Sequence, residues 1–342
     1  MRRPHIVAGL ILWCTSAFAQ TNTVAGAGYL YPAPIPAAPG QILTLFVSGV
    51  GRSLTQPVRA QGAALPKSLA GISVTLRQVS DIPVPLFEVR PIFTCLNPLP
   101  GNQGSCGSVT AITVQIPYEL RPLCPVCASP LPLNAQLFVT ENGNAGGLID
   151  LTPLADQIHI VTTCDTIVPG STGRASITGL PCPPMVTHGD GALVSAANPA
   201  KPGEELVAYA VGLGATDPPA ATGQPATTAA RTASSLRMGF NFLPNALPAK
   251  PTPLPSPRAA PVTDPFPISG LTPVPIFSGL TPGYVGLYQI NFLAPAVPAG
   301  TPACQDPNRV APGADFVQSN VTVSFGSVFS FDGAGICVAV PN

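Results

Sequence analysis

The stretch KPGEELVAYAVGLGATDPP (Lys201–Pro219) decides how this chain is read. A Pro-Gly turn leads into an apolar strand, the strand meets Gly-Leu-Gly, and two prolines forbid it to continue. The same succession stands 163 positions earlier in PGQILTLFVSGVGRSL (Pro39–Leu54). Pro39-Gly40 falls on Pro202-Gly203, and LTLFVSGVG (Leu43–Gly51) falls on LVAYAVGLG (Leu206–Gly214) without a gap. Three further pairs follow in the same order. PVPLF (Pro83–Phe87) matches PVPIF (Pro273–Phe277), Val114–Pro122 matches Tyr288–Ala296, and Ala135–Gly143 matches Asn320–Val328. One β module is therefore written twice.

Each matched segment alternates with period 2. Ile72, Val74 and Leu76 are interleaved with Ser73, Thr75 and Arg77, and Val321, Val323 and Phe325 with Thr322 and Ser324. Successive strand residues point to opposite faces, so these strands have one buried and one wetter side. Short strands punctuated by turn residues predict an all-β fold of two tandem immunoglobulin-like antiparallel β-sandwich modules. The Gly-x-Gly that ends the first strand of each copy predicts a bulge or positive φ where the chain leaves the sheet. It is not a dinucleotide fingerprint, which needs a third glycine and a helix, because Asp217-Pro218-Pro219 follows instead.

Composition agrees. The chain has 342 residues with 45 prolines and 33 glycines, which belong in turns and edges. Only 9% of residues are charged while 46% are hydrophobic, enough to build cores. The first 19 residues read as a secretory leader, with Arg2-Arg3, an apolar Ile6–Trp13 and a small-x-small end at Ala17-Phe18-Ala19. The apolar run is too short for a membrane span, and Trp13 occupies the small-residue position that a lipidated Cys14 needs. Without Arg2 and Arg3, 13 basic groups face 15 acidic ones, which gives nucleic acid no electrostatic footprint. The expected location is secreted or cell-surface, with no transmembrane segment.

Eight cysteines follow the leader: Cys95, Cys106, Cys124, Cys127, Cys164, Cys182, Cys304 and Cys337. In an exported chain an even count reads as disulfides, and proximity favours 95–106, 124–127, 164–182 and 304–337 among the 105 connectivities that eight cysteines allow. Cys124-Pro-Val-Cys127 has redox-motif spacing but lies among prolines, with no helix to lower a thiol pKa. A zinc site made of Cys95, Cys106, Cys124 and Cys127 conflicts with an oxidising compartment.

Catalytic signals are sparse. His159, in DQIHIVT, reads as a solvent-facing residue on the last strand of the first copy. His188 and Asp190 sit in a Gly-rich turn, and Glu204-Glu205 reads as a solvated strand start. No Gly-x-Ser-x-Gly elbow is present, and Asp190 is one carboxylate where calcium wants six to eight oxygens. No catalytic residue, cofactor or metal is therefore expected.

GALVSAANPAKPGEELVAYAVGLGATDPP and VPIFSGLTPGYVGLYQINFLAPAVPAG resemble the uncharacterised C-terminal domain of secreted acidobacterial proteins of the Solibacter group. The resemblance covers Gly189–Val340 well and Pro39–Ile160 more loosely. It implies an extracellular immunoglobulin-like module, similar to IPT/TIG-type domains, with no established activity. The resulting expectation has four parts: a leader at 1–19, a first sandwich at 20–162, a connecting segment at 163–197 and a second sandwich at 198–342. The expected role is non-catalytic: adhesion to or recognition of an extracellular glycan or protein, or spacing. The alternative is an extracellular hydrolase whose site has no recognisable motif. Contacts are expected from the loops Cys95–Cys106, Leu243–Pro267 and Thr281–Tyr284, with Tyr284 as the candidate aromatic.

Overall fold

The computed structural model describes residues 24–27, 34–96, 105–122, 134–163, 165, 167, 183–240, 275–296, 321–325 and 331–340. Among them every element is a strand and none is a helix. The first half contributes β1 (Val24–Ala27), β2 (Ile35–Ala37), β3 (Ile42–Val47), β4 (Val58–Arg59), β5 (Ile72–Arg77), β6 (Asp81–Val84), β7 (Leu86–Leu96), β8 (Ser105–Gln115), β9 (Ala135–Glu141) and β10 (Asn144–Pro153). The second contributes β11 (His159–Ile160), β12 (Val186–His188), β13 (Glu205–Val211), β14 (Thr216–Asp217), β15 (Arg231–Thr232), β16 (Leu236–Phe240), β17 (Phe277–Leu280), β18 (Tyr288–Leu293), β19 (Val321–Phe325) and β20 (Phe331–Ala334). No helix among the described residues is long and apolar enough to cross a membrane.

Alternation dictates the layering. Ile72, Val74 and Leu76 of β5 are buried while their neighbours are wetter, and Tyr288, Ile290 and Phe292 of β18 repeat the pattern. Two separate cores result. One gathers residues between Ile35 and Leu151 and the other residues between Ile158 and Val338. In the first half the sheets run β1-β3-β8-β7-β4 and β2-β10-β9-β5-β6. In the second they run β11-β13-β18-β17-β15-β14 and β16-β19-β20. Pairing is antiparallel except where β2 joins β10 and at the isolated parallel bridge between Ala200 and Val338.

The correspondence between the two halves extends to individual backbone hydrogen bonds. Gly40 N–H donates to the Ile116 carbonyl at 3.0 Å, and Gly203 N–H to that of Ala294 at 2.7 Å. Ile116 N–H returns to Gln41 at 2.7 Å, as Ala294 N–H does to Glu204 at 2.9 Å. Leu154 N–H donates to Ala37 at 2.8 Å, and Ala339 N–H to Ala200 at 2.7 Å. Gly40 and Gly203 both have positive φ, as do Gly49, Gly51, Gly212 and Gly214 of the two Gly-x-Gly turns. The positive φ expected at the strand exit is present in both copies.

These bonds correct the sequence pairing. Ile116 corresponds to Ala294, so Val114 falls on Phe292 and not on Tyr288 as the motifs suggested. The slip is four residues, an even number. It leaves every side chain on the same face, so apolar phase cannot expose it. In the last motif the slip is odd: Leu137 was set against Thr322, yet Leu137 and Val139 occupy core positions like those of Val321 and Val323. A Val-Thr-Val run, β-branched throughout, hides the phase.

A second correction concerns His159 and part of the connecting segment. β11 pairs with β13, and Ile158 and Ile160 lie in the second core, so His159 does not close the first copy. Val186 of β12 joins the same core, and β12 also pairs with β13. The Gly189–Gly191 turn forms as expected, closed by the Asp190 carboxylate on Ala192 N–H at 2.9 Å.

Of the eight cysteines, Cys124, Cys127, Cys164, Cys182 and Cys304 lie outside the described residues, and Cys337 is buried. Cys95 stands directly opposite Cys106 in the β7–β8 ladder. Opposed antiparallel residues have Cα atoms ~4.5–5.5 Å apart, inside the range a disulfide needs. Non-reducing peptide mapping should accordingly recover Cys95 and Cys106 in one linked pair. Alkylation of either thiol in the native, unreduced protein contradicts this.

Candidate binding surface where the two halves meet

The described contacts between the halves centre on a short turn of the second half. In ATGQPA (Ala221–Ala226), Gln224 N–H closes on the Ala221 carbonyl at 3.2 Å, and Gly223 takes a φ of +74° that a side chain would strain. The turn reaches the first half through four hydrogen bonds. Leu65 N–H donates to the Gly223 carbonyl at 2.8 Å, and Gly223 N–H donates to Gln115 Oε1 at 2.7 Å. Tyr118 N–H donates to Thr222 Oγ1 at 2.9 Å, and that hydroxyl donates to Glu119 Oε2 at 2.6 Å. A Cβ at position 223 would also press on the Pro85 ring.

Beside this turn the Tyr118 hydroxyl lies 3.3 Å from that of Tyr288, whose own hydroxyl donates to the Gly214 carbonyl. Burial raises the Tyr118 pKa, and burial with the adjacent Tyr118 pushes Tyr288 well above the usual phenol range. Both remain neutral donors at ordinary pH. Room for the Tyr118 ring exists because position 40 is glycine. An apolar seam of Ile42, Val161 and Val211, flanked by Phe87, Met185, Tyr209 and Leu287, completes the contact. Gly212 and Gly214 lie against the backbone of residues 155–157, and Gln157 N–H donates to the Gly212 carbonyl at 2.8 Å.

The turn also holds the loop that carries Tyr284. Ala226 N–H donates to the Tyr284 carbonyl at 2.9 Å, and Gly283 N–H returns to Ala226 at 2.8 Å. Thr281 N–H closes the loop on Leu287 at 2.9 Å. The Tyr284 main chain is fixed while the residue stays 58% exposed, so the ring is not packed beneath the turn. The other expected contact loops, at 97–104 and Leu243–Pro267, lie outside the described residues.

His159 is not the solvent-facing residue its alternation suggested. Its Nε2 lies 3.1 Å from both Asp165 oxygens, and its Nδ1 lies 3.3 Å from Asp332 Oδ2. Burial works against its charge, but the Asp165 and Asp332 carboxylates outweigh it and push the pKa up to about 10. Burial likewise opposes the Asp165 charge; His159 and the Thr162 donors overcome this and lower its pKa. The imidazolium is therefore a fixed cation that ties β11 to Asp165 and to β20. His188 Nδ1 meets Glu204 Oε1 at 2.6 Å, and its Nε2 faces the Asn198 carbonyl at 3.1 Å. Glu204 is thus engaged and not simply solvated, whereas the exposed Glu205 accepts from Asn291 Nδ2 at 2.9 Å. Among the described residues no group of three or more His, Cys, Asp or Glu could hold a metal ion.

Sequence reading reached Tyr284 but not Thr222, Gly223, Gln115 or Tyr118. Their only local sign is the turn composition of ATGQPA, and the partners lie more than 100 positions away. The chain matches no family model, no curated protein and no solved structure.

Two outcomes follow. The folded pKa of His159 lies above the free value of 6.5, so its contribution is complete below pH 6.5 and is lost as pH rises through about 10. The Asp165 contribution has the opposite sign, present above the ordinary 3.8 and lost as pH falls. Urea unfolding should show stability declining from pH 7 to 10. His159→Gln should flatten that slope while costing on the order of 2 kcal/mol at pH 6; parallel slopes refute the assignment. Second, Gly212→Ala places a Cβ on the Gln157 carbonyl and should cost upwards of about 2 kcal/mol, against roughly 1 for Gly62→Ala, which also has positive φ but open space. Equal losses would show that backbone conformation, not the contact, sets the cost.

Proposed function

We propose that this chain is an exported, non-catalytic recognition protein of the cell surface or medium, built from two immunoglobulin-like sandwich modules. The observation that carries the reading is Tyr284: a large aromatic, 58% exposed, on a loop whose main chain is fixed by hydrogen bonds. Exposed aromatics in pre-ordered loops bind with little entropic loss, and sandwich proteins recognise ligands through such loops. The leader-like N-terminus, the even cysteine count and the resemblance to a secreted acidobacterial module support the export half of the proposal.

The competing reading is an extracellular hydrolase. A general base must take up a proton at working pH. His159, held charged between Asp165 and Asp332, is unsuited to that task, and both nitrogens of His188 are engaged. These features favour recognition. The test is a binding screen of the chain without residues 1–19 against purified bacterial envelope and immobilised glycans, run beside esterase, glycosidase and peptidase assays. Retention without turnover is the expected result. Turnover abolished by replacing a single Ser, His or Asp overturns the proposal.

A further inference from the structure

We infer that the binding surface is composite, formed where the Tyr284 loop, the 221–228 turn and the edge of the first half meet, and that it takes a neutral saccharide. The inference rests on the recognition reading above and adds the place and the ligand class.

The place follows from connectivity. The Tyr284 loop is bonded twice to Ala226, and the turn containing Ala226 is bonded four times to Leu65, Gln115, Tyr118 and Glu119. Main-chain bonds of the Tyr284 loop to Ala226, and the three peptide links from Ala226 back to Gly223, therefore connect this loop to the first half. Gln115 Nε2 and Thr281 Oγ1, in residues of the two joined segments, are buried without a hydrogen-bond partner.

The ligand class follows from what is exposed. Tyr284 is the only large exposed hydrophobic in the 221–228 and 281–287 segments. A lone ring falls well short of the apolar centre that a stable protein interface of roughly 800 Å² per partner contains. The turn bonded to its loop carries Thr222, Gln224, Thr227 and Thr228, whose hydroxyl and amide groups both donate and accept. One carboxylate, Glu119, stands at the far end, bonded to Thr222. Sugars present C–H faces to aromatic rings and hydroxyls to such groups. Without a basic cluster, an anionic polymer gains nothing here.

Affinity electrophoresis of the full chain through gels containing dextran, xylan or mixed-linkage β-glucan, with polygalacturonate as the charged comparison, tests both parts. At least one neutral polymer should retard the protein. Tyr284→Ala should weaken retardation about tenfold or more, and Tyr284→Phe should keep it within about threefold. Thr222→Val, which removes the bonds to Tyr118 and Glu119 while leaving the ring in place, should weaken it at least threefold; Leu148→Ala, at an exposed residue that takes no part in these bonds, should change nothing. Thermal unfolding within a few degrees of the parent shows that each variant is folded. Retardation by polygalacturonate alone, or by no polymer, overturns the saccharide assignment, while envelope binding in the preceding screen keeps the recognition reading standing. Retardation unaffected by Tyr284→Ala or Thr222→Val overturns the composite surface.

Discussion

A buried peptide group must find a hydrogen-bond partner, and in the second half of this chain that requirement arranges the strands around β13. Its residues Leu206, Ala208, Ala210 and Val211 are buried. One edge is paired with β18 from Glu205 to Ala210. The other edge is shared by two short strands: β12 opposite Leu206–Ala208 and β11 opposite Ala210–Val211. Segments that sequence reading assigned to the end of one module and to a connector are thereby drawn into the second sheet. His159 comes with them and meets Asp165 and Asp332.

The Gly-x-Gly turn at the end of β13 serves a related need. Positive φ lets the chain leave the sheet, and the missing Cβ atoms let residues 155–157 pass directly over it. In the first half, Gly49 and Gly51 meet the first demand, but Gly51 faces the Thr110 and Leu54 side chains instead of backbone. The same turn occurs in both halves, and in the second it lies where the halves join. The nearby polar contacts of Thr222 and Gly223 with the first half, and of Ala226 with the Tyr284 loop, tie that loop to the junction.

His159 illustrates how burial and charge decide a role that sequence leaves open. On a strand whose Ile158 and Ile160 point inward, an intervening histidine reads as wet. Two carboxylates from outside its strand reverse that reading and hold the ring as a cation. A charge fixed by opposed partners contributes to stability over a pH window and leaves little capacity for acid–base chemistry.

What the sequence determined by itself was whatever depends on local conformation. Proline and glycine density excluded helices, period-2 alternation marked buried faces such as those of β5 and β18, and the repeated Pro-Gly and Gly-x-Gly signals located matching turns in both halves. Register was beyond it: matching Val114 to Tyr288 instead of Phe292 is a four-residue slip that preserves the face of every side chain, and the tertiary hydrogen bonds, such as Gly40–Ile116 and Gly203–Ala294, reveal it. The meeting of the halves was also beyond it, because Gln115 and Gly223, or His159 and Asp332, are adjacent only after the chain has folded. Local rules fix which residues are strand and which way they face; partners more than a hundred positions apart are chosen by packing and by the satisfaction of buried polar groups, and that choice belongs to the tertiary structure.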